Sequence, residues 1–306
     1  MDRAGAALRS MTGPPSEVRG APNAGAFVVR DSRETHEVGR RARLELVFSA
    51  HRGRTVLSHG YAEPPLRIGR GFERGAVLRF ILTSSAPGLF GGDTIEQVVR
   101  VEPGALVELA SQSALQVHPS LDSLPARVTS HYEVLAGGSL SCWWDPLIPF
   151  ARSMLEQAIA IDVSPGGRVQ WSDALMSGRG GHGEHWAFST LSHELRLRRN
   201  GQLAYLERYR LAPASGGDTD NGPFDARLHG GSQYFGTAFR IGCGDDGAAA
   251  EAVHRAVQSI PGVAAAADLL ADDLLLVRLA GASGVPFHDA RRRAIAALEA
   301  SSRAYG

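Results

Sequence analysis

The chain has 306 residues, and its 32 Lys+Arg balance 32 Asp+Glu, so the formal net charge is zero. That balance argues against nucleic acid as the main partner, because phosphate binding needs a basic surplus. The apolar runs fall short of the roughly 20 residues of a membrane span, so we expect no membrane partner. Two cysteines fit a reducing, cytoplasmic protein better than a disulfide-stapled scaffold.

Residues 1–40 are rich in Gly, Ala, Pro, Ser and Arg and show little periodicity. Segments of this composition bury too little apolar surface to fold, so we predict a disordered tail over residues 1–40. A single β-rich domain is predicted over residues 41–306, because all-β folds often run to about 200–250 residues as one domain.

Strand patterns begin near Arg43. Leu44, Leu46 and Phe48 alternate with their neighbours at period two, as a strand with one buried face requires. Residues 54–61 and 77–83 predict further strands.

A weak internal repeat follows, and each unit reads strand, tight glycine turn, strand. The turns centre on glycines spaced by 33, 29 and 35 residues: Gly104, Gly137, Gly166 and Gly201. Asn200 before Gly201 is typical of a type I′ hairpin turn, whose two central residues need positive φ. The recurrence predicts stacked β-hairpin layers, either solenoid-like or a plain sandwich, in which each unit buries its apolar face on the next.

The period changes toward the C-terminus, after a loop-like segment at residues 213–233 that is rich in turn formers. Residues 248–260 and 286–300 place apolar side chains at helical spacing, and residues 274–279 read as a short buried strand. The side chains expected to face inward are Ala252, Val253, Ala256, Val257 and Ile260 in the first helix, and Phe287, Ala290, Ala294, Ile295 and Leu298 in the second. The predicted fold is therefore mostly β, closed by a C-terminal helix–strand–helix unit.

The motif H-G-E-H at residues 182–185 offers two imidazoles and Glu184 as ligands for a transition metal. The zinc-protease motif needs two residues between its glutamate and its second histidine, on a helix, and that spacing is missing here. A polar turn between two strands is the favoured interpretation.

Gly178, Gly180 and Gly183 form a literal G-x-G-x-x-G, but a strand pattern follows instead of the helix that dinucleotide binding needs.

Asp93, Asp145 and Glu184 are the acids in the most distinctive local contexts. If any of them converges with His182 or His185, the pair could do the acid–base work of an all-β hydrolase or isomerase. One sequence does not show convergence, so this enzyme hypothesis stands as an alternative.

Trp143 and Trp144 support a third hypothesis, a β-rich carbohydrate-binding module. Exposure of both rings at the surface, or glycan binding without metal, would favour that hypothesis.

Three segments occur in order along the chain: P-G-L-F-G-G-D (Pro87–Asp93), W-W-D-P-L-I-P-F-A-R (Trp143–Arg152) and S-G-R-G-G-H-G-E-H-W-A-F (Ser177–Phe188). With Ser111-Gln112 after the first segment, this series resembles the urease accessory protein D family. The resemblance extends from about Arg43 to the C-terminal helix. The family commonly has a lysine before Val-Tyr where this chain has Gln116-Val117-His118, so no role of that lysine carries over.

The resemblance implies a non-enzymatic scaffold that delivers nickel to apo-urease during maturation. It implies partners as well: the F accessory protein, the G accessory GTPase and the urease apoprotein. Nickel would be cargo in transit through an internal channel, with no tightly bound cofactor. Asp93, Asp145 and Glu184 are the candidates for transient nickel contacts, and the C-terminal helices with the 213–233 loop are a candidate partner surface.

Overall fold

The computed structural model describes residues 39–213, 230–244, 247–271 and 273–303. Residues 1–38 of the tail predicted over residues 1–40, and most of the loop predicted over 213–233, lie outside the described residues. The described strands are β1 (Arg41–His51), β2 (Arg54–Ala62), β3 (Leu66–Arg67), β4 (Phe72–Arg74), β5 (Val77–Ser84), β6 (Thr94–Val101), β7 (Leu106–Ser111), β8 (Leu115–Val117), β9 (Ala126–Val134), β10 (Ser139–Trp143), β11 (Leu147–Pro149), β12 (Met154–Val163), β13 (Arg168–Met176), β14 (Thr190–Arg199), β15 (Gln202–Leu211), β16 (Tyr234–Ile241), β17 (Val263–Ala271) and β18 (Leu274–Gly281). The helices are α1 (Gly247–Gln258) and α2 (Gly284–Arg303), and a single 3₁₀ turn covers Gly180–His182.

Two sheets face each other, and the chain alternates between them. Sheet 1 has seven strands in the order β15-β14-β12-β9-β6-β1-β2, and β1, β6, β9, β12 and β14 run parallel. Sheet 2 has eleven strands, with β5, β7, β10 and β13 parallel and β16, β18 and β17 added antiparallel. Successive pairs such as β6–β7 and β9–β10 form stacked coils. The prediction of a mostly β, solenoid-like fold is confirmed.

The glycine turns have the predicted shape, but three of them connect different sheets. At the first, the Ala105 amide donates to the Glu102 carbonyl at 3.1 Å, and Gly104 has φ of +77°, as the third position of a type II turn requires. The Gly104 amide donates to the Gly137 carbonyl at 3.2 Å, and the Gly137 amide donates to the Gly166 carbonyl at 3.0 Å. These turns therefore pair with one another across coils and do not close hairpins.

The hairpin predicted at Asn200-Gly201 is present. Their φ angles are +52° and +77°, and the turn joins the antiparallel strands β14 and β15 within sheet 1. Positive φ at both central residues is the requirement of a type I′ turn.

The main core lies between the sheets, on the side of the stacked turns. The alternation predicted in β1 is confirmed, since Leu44, Leu46 and Phe48 are almost fully buried. The Trp171 ring meets the edge of the Tyr132 ring, with centroids 5.2 Å apart. Cys142 and Cys243 are both buried and form no disulfide with each other.

The C-terminal unit packs on the outer face of sheet 2. Val253 and Val257 from α1 and Phe287 from α2 are fully buried against strand residues such as Val277. β17 adds a strand between α1 and β18 that the helix–strand–helix prediction lacked. Within the described residues, neither helix is long and apolar enough to cross a membrane.

Two details of the helix faces differ from the prediction. Ala252 is exposed, and Ala249 takes its place on the buried side of α1. Arg291 is buried near the centre of α2, where its Nε donates to the Ser172 hydroxyl at 3.0 Å and its Nη2 to the Trp144 carbonyl. A buried guanidinium is tolerated because backbone and hydroxyl oxygens replace water around it.

We predict that Gly137→Ala destabilises the fold, because Gly137 has φ of +76° in the middle of the turn stack. An L-residue in that region costs about 1–2 kcal/mol, which lowers the thermal midpoint by a few degrees. Gly181→Ala is the matched control, since Gly181 lacks a positive φ and has open space around it. Equal midpoints for the two variants by circular dichroism would contradict the strain assigned to the turn.

Candidate functional site: a polar cavity between the sheets

A cavity of about 770 Å³ lies between the two sheets, and inward-facing residues of both sheets line it. Its walls include apolar side chains such as Ile95, Val128 and Leu175. Polar and charged side chains interrupt these walls at positions where the strand alternation would otherwise bury an aliphatic residue. The cavity is therefore a part of the interior that the side chains do not fill.

Sheet 1 contributes a band of polar side chains to the cavity wall. Gln97 and Ser130 are cross-strand partners, and the Ser130 hydroxyl donates to Gln97 Oε1 at 3.3 Å. Gln157, His193 and Tyr209 also stand in register, on β12, β14 and β15. His193 Nδ1 lies 2.9 Å from Gln157 Oε1, and its ring stacks on Tyr209 with centroids 4.9 Å apart. These hydrogen bonds satisfy polar groups that would otherwise be costly to bury.

A charged cluster joins the two sheets at the strands β15, β16 and β18. Arg278 Nη1 donates to Glu207 Oε1 at 2.7 Å and to the Thr237 hydroxyl at 2.9 Å. Arg278 Nη2 donates to the Tyr205 hydroxyl at 2.5 Å. The Thr237 and Tyr205 hydroxyls in turn donate to Glu207 Oε2 at 3.2 and 3.1 Å. Glu207 is only 11% exposed, so Arg278 neutralises a carboxylate within the cavity wall.

Asp173 lines the same cavity from β13, next to Thr237 in the strand register. Burial is the main influence that raises the pKa of Asp173, and the negative charge of Glu207 adds to it. His193 and a 3.0 Å hydrogen bond from Trp171 Nε1 act in the opposite direction without cancelling the shift. Asp173 thus takes up a proton more readily than an ordinary aspartate.

Asp93, the first predicted acid, lies in the cavity wall, but both of its carboxylate oxygens already accept hydrogen bonds. Arg40 holds it through Nη2 to Oδ2 at 2.7 Å and through its backbone amide to Oδ1 at 2.8 Å. The Phe90 amide donates to Oδ2 at 2.9 Å. Burial acts to raise the pKa of Asp93, but these hydrogen bonds and the Arg40 charge outweigh burial and hold it below the ordinary value.

Asp145, the second predicted acid, also lines the cavity and is half-buried. Its Oδ2 accepts a hydrogen bond from the Ser111 hydroxyl at 3.0 Å, and its amide lies 2.8 Å from the same hydroxyl oxygen. Within the described residues no cation pairs with this carboxylate, so Asp145 keeps acceptor capacity toward the cavity.

Glu184, the third predicted acid, is not among the residues that line the cavity. Arg179 binds it with two hydrogen bonds, one of them from Nε to Oε2 at 2.8 Å, and the Ala151 amide donates to Oε2 at 3.1 Å. The hydrogen bond from Arg179 is the main reason that the pKa of Glu184 is lowered. His182 and His185 are exposed, and neither bonds to a predicted acid within the described residues.

The three sequence segments that carry the family resemblance meet at this end of the fold through a stack of rings and guanidinium groups. Phe90 stacks on His118 with centroids 4.3 Å apart, and His118 meets the edge of Phe150 at 4.9 Å. Arg40 lies 5.4 Å from the Phe90 centroid, and Arg179 lies 4.1 Å from the Phe150 centroid. Contacts of this kind contribute about 0.5–1 kcal/mol each at exposed sites. Asp93 and Glu184 thus anchor the arginines at the two ends of the stack.

Trp143 and Trp144 are both half-buried. Trp144 packs against Tyr132 and Trp171, with centroids 6.4 and 5.9 Å away. The exposed pair of rings that would favour the carbohydrate-binding hypothesis is therefore missing.

The structure does not assemble the three predicted acids into a metal site. Among residues 39–213, 230–244, 247–271 and 273–303, no group of three or more His, Cys, Asp and Glu side chains is placed to hold a metal ion. Local sequence patterns did not single out His193, Asp173, Glu207 or Arg278 as site residues. The signal was present in L-S-H-E-L, where a histidine occupies an inward position between Leu191 and Leu195.

Comparison with known proteins gives a consistent result. The family model described as "UreD urease accessory protein" matches residues 40–304. A urease accessory protein UreD from Sorangium cellulosum is 37% identical over 183 residues, which is 60% of this chain and 58% of that relative, less than two thirds of its length. Proteins of the same name from Deinococcus radiodurans and Anaeromyxobacter are each 30% identical, over 68% and 78% of this chain and 73% and 80% of their own.

We predict that Asp93→Asn destabilises the fold near neutral pH by about 1–2 kcal/mol, a modest value because Arg40 is 42% exposed. The folded pKa of Asp93 is depressed, so its stabilisation is complete above the ordinary carboxyl pKa of about 3.9 and is lost as the pH falls through the lower folded value. Urea unfolding at several pH values should therefore show the wild-type advantage shrinking below about pH 4. Glu133→Gln, on the exposed face of sheet 1, is the control. A gap independent of pH would show that Asp93 acts through packing alone.

Proposed function

The chain belongs to the UreD family of urease accessory proteins, and from that premise we propose that it conducts nickel through the cavity between its sheets to apo-urease. An accessory protein of this family has a non-catalytic role in maturation. The observation that carries the proposal is the cavity of about 770 Å³, whose walls hold Asp145, Asp173, His193 and Glu207. The cargo is Ni²⁺, and it is not a resident cofactor.

The donor chemistry of the wall suits transit better than storage. Ni²⁺ lies high in the affinity order for nitrogen and sulfur ligands, so several imidazoles or thiolates in one place would trap it. The cavity offers one imidazole, carboxylates on different strands, and amide and hydroxyl oxygens. An ion that exchanges one or two protein ligands at a time, and keeps water for the rest, can leave each position quickly.

The charges of the wall compensate for the loss of bulk water around the ion. A divalent cation is costly to move into an apolar interior unless negative groups replace part of its hydration. Asp173 supplies such a group from β13 in the cavity wall. Asp145 supplies a second one, held in position by Ser111.

The partners in this proposal are the F accessory protein, the G accessory GTPase that supplies nickel, and apo-urease, and the complex acts in the cytoplasm. The outer sides of α1 and α2 belong to the described part of the proposed partner surface, and α2 carries its most exposed apolar residue. Val285 is 82% exposed there, and Arg292 and Arg293 are exposed near it. An exposed apolar side chain beside arginines is a common composition for a protein interface.

We predict that Asp173→Asn and Glu207→Gln each lower nickel loading of urease, in cells carrying the urease operon at limiting nickel. Each substitution removes a negative charge from the path, and we expect a loss of about tenfold in the nickel content and activity of purified urease. Glu156→Gln is the matched control, since that carboxylate is 52% exposed on the outer face of sheet 1. All three variants must co-purify with the other accessory proteins for the comparison to hold.

Deletion of the chain tests the proposed function itself, on which that prediction depends. The proposal expects abundant urease protein that is poor in nickel and inactive. Urease that loads normally at limiting nickel without this chain would contradict the proposed function outright.

A further inference from the structure

Glu207 already carries a cation, the guanidinium of Arg278. We propose that Arg278 is a tethered counter-ion that competes with the transported divalent cation for Glu207, and so keeps metal affinity low and promotes release. This inference rests on the proposed function. It concerns how a bound metal ion is released from the cavity, whereas the proposed function concerns whether the cavity conducts metal ions at all.

The geometry places one positive centre on one carboxylate. Arg278 and Glu207 come from opposite sheets, and Nη1 lies 2.7 Å from Oε1. The Thr237 and Tyr205 hydroxyls donate to Oε2, so both oxygens of Glu207 have partners. A metal ion that binds Glu207 must displace Arg278, because two positive charges on one carboxylate repel each other strongly in a partly buried site.

Arg278 also has room to move away. Its side chain is 47% exposed, against 11% for Glu207, so the carboxylate stays in the wall while the guanidinium can turn toward solvent. In the strand register, Thr237 on β16 is the neighbour of Asp173 on β13 and of Arg278 on β18. Asp173 therefore lies two strands away from Arg278. An ion held near Asp173 would therefore be within reach of Glu207 only while Arg278 is turned away.

A purely structural role for Arg278, as a link between the sheets, is the competing explanation. Arg199 provides the comparison, because it pairs with Asp273 across the two sheets and is similarly half-buried at 36% exposure. Neither Arg199 nor Asp273 lines the cavity. Loss of either arginine removes a cross-sheet ion pair, but only loss of Arg278 frees a carboxylate in the cavity.

The test is equilibrium dialysis of the full-length chain against Ni²⁺, with wild type, Arg278→Gln, Arg278→Lys and Arg199→Gln. We expect Arg278→Gln to bind Ni²⁺ at least about tenfold more tightly, since the competing charge is gone. Arg278→Lys keeps the charge and should remain near wild type, as should Arg199→Gln. Thermal unfolding gives a second readout: Ni²⁺ should raise the midpoint of Arg278→Gln more than that of Arg199→Gln, because a ligand that binds only the folded state stabilises it.

Glu207→Gln separates the two claims. If Glu207→Gln weakens Ni²⁺ binding while Arg278→Gln binds as wild type does, the counter-ion role is wrong and the conduction proposal stands. If neither substitution changes Ni²⁺ binding, Glu207 is not on the metal path and the inference fails together with that part of the proposed function.

Discussion

The stacked turns at Gly104, Gly137 and Gly166 fix the register on which the rest of the structure depends. On sheet 1, the inward-facing residues of neighbouring strands line up in columns across the sheet. The column nearest the turns is Val101, Val134 and Val163, and all three are buried. The second column is also apolar, and the third and fourth contain the polar residues that line the cavity. Distance from the turns therefore separates the packed core from the cavity. The packed core and the cavity are both held in place by backbone hydrogen bonds between the turns, and these bonds do not depend on side chains.

Local patterns in the sequence predicted the local structure well, because alternation in β1 and the helical spacing in α1 and α2 are properties of neighbouring residues. The sequence did not show that the three turns connect opposite sheets, since a tight turn looks the same in a hairpin and in a solenoid coil. It also missed β17, whose run of alanines has weak strand propensity. That strand forms because β18 pairs with it and α1 covers one face, both of which are tertiary effects.

The candidate site was harder to predict than the fold, for a physical reason. Asp93, Asp145 and Glu184 stand out locally, but glycine-rich turns often carry acids that fix a loop, and two of these three bind arginines. The cavity cluster combines residues from β13 to β18, and no local motif joins them. Several carboxylates have a guanidinium partner, among them Asp93 with Arg40, Glu184 with Arg179 and Glu207 with Arg278. In the cavity wall, arginines pair with Asp93 and Glu207, whereas Asp145 and Asp173 are the acids on which the proposed passage of nickel depends.

The central claim is that nickel travels through the cavity, and blocking the cavity tests it most directly. Ser130 lies on the central strand β9, faces inward and lines the cavity. The decisive measurement is the nickel content of urease activated by accessory complexes that carry Ser130→Trp, with Ser130→Ala as the control and co-purification confirming assembly. The account predicts nickel-poor urease with the tryptophan and normal loading with the alanine. Normal loading through an assembled complex whose cavity is filled would contradict it.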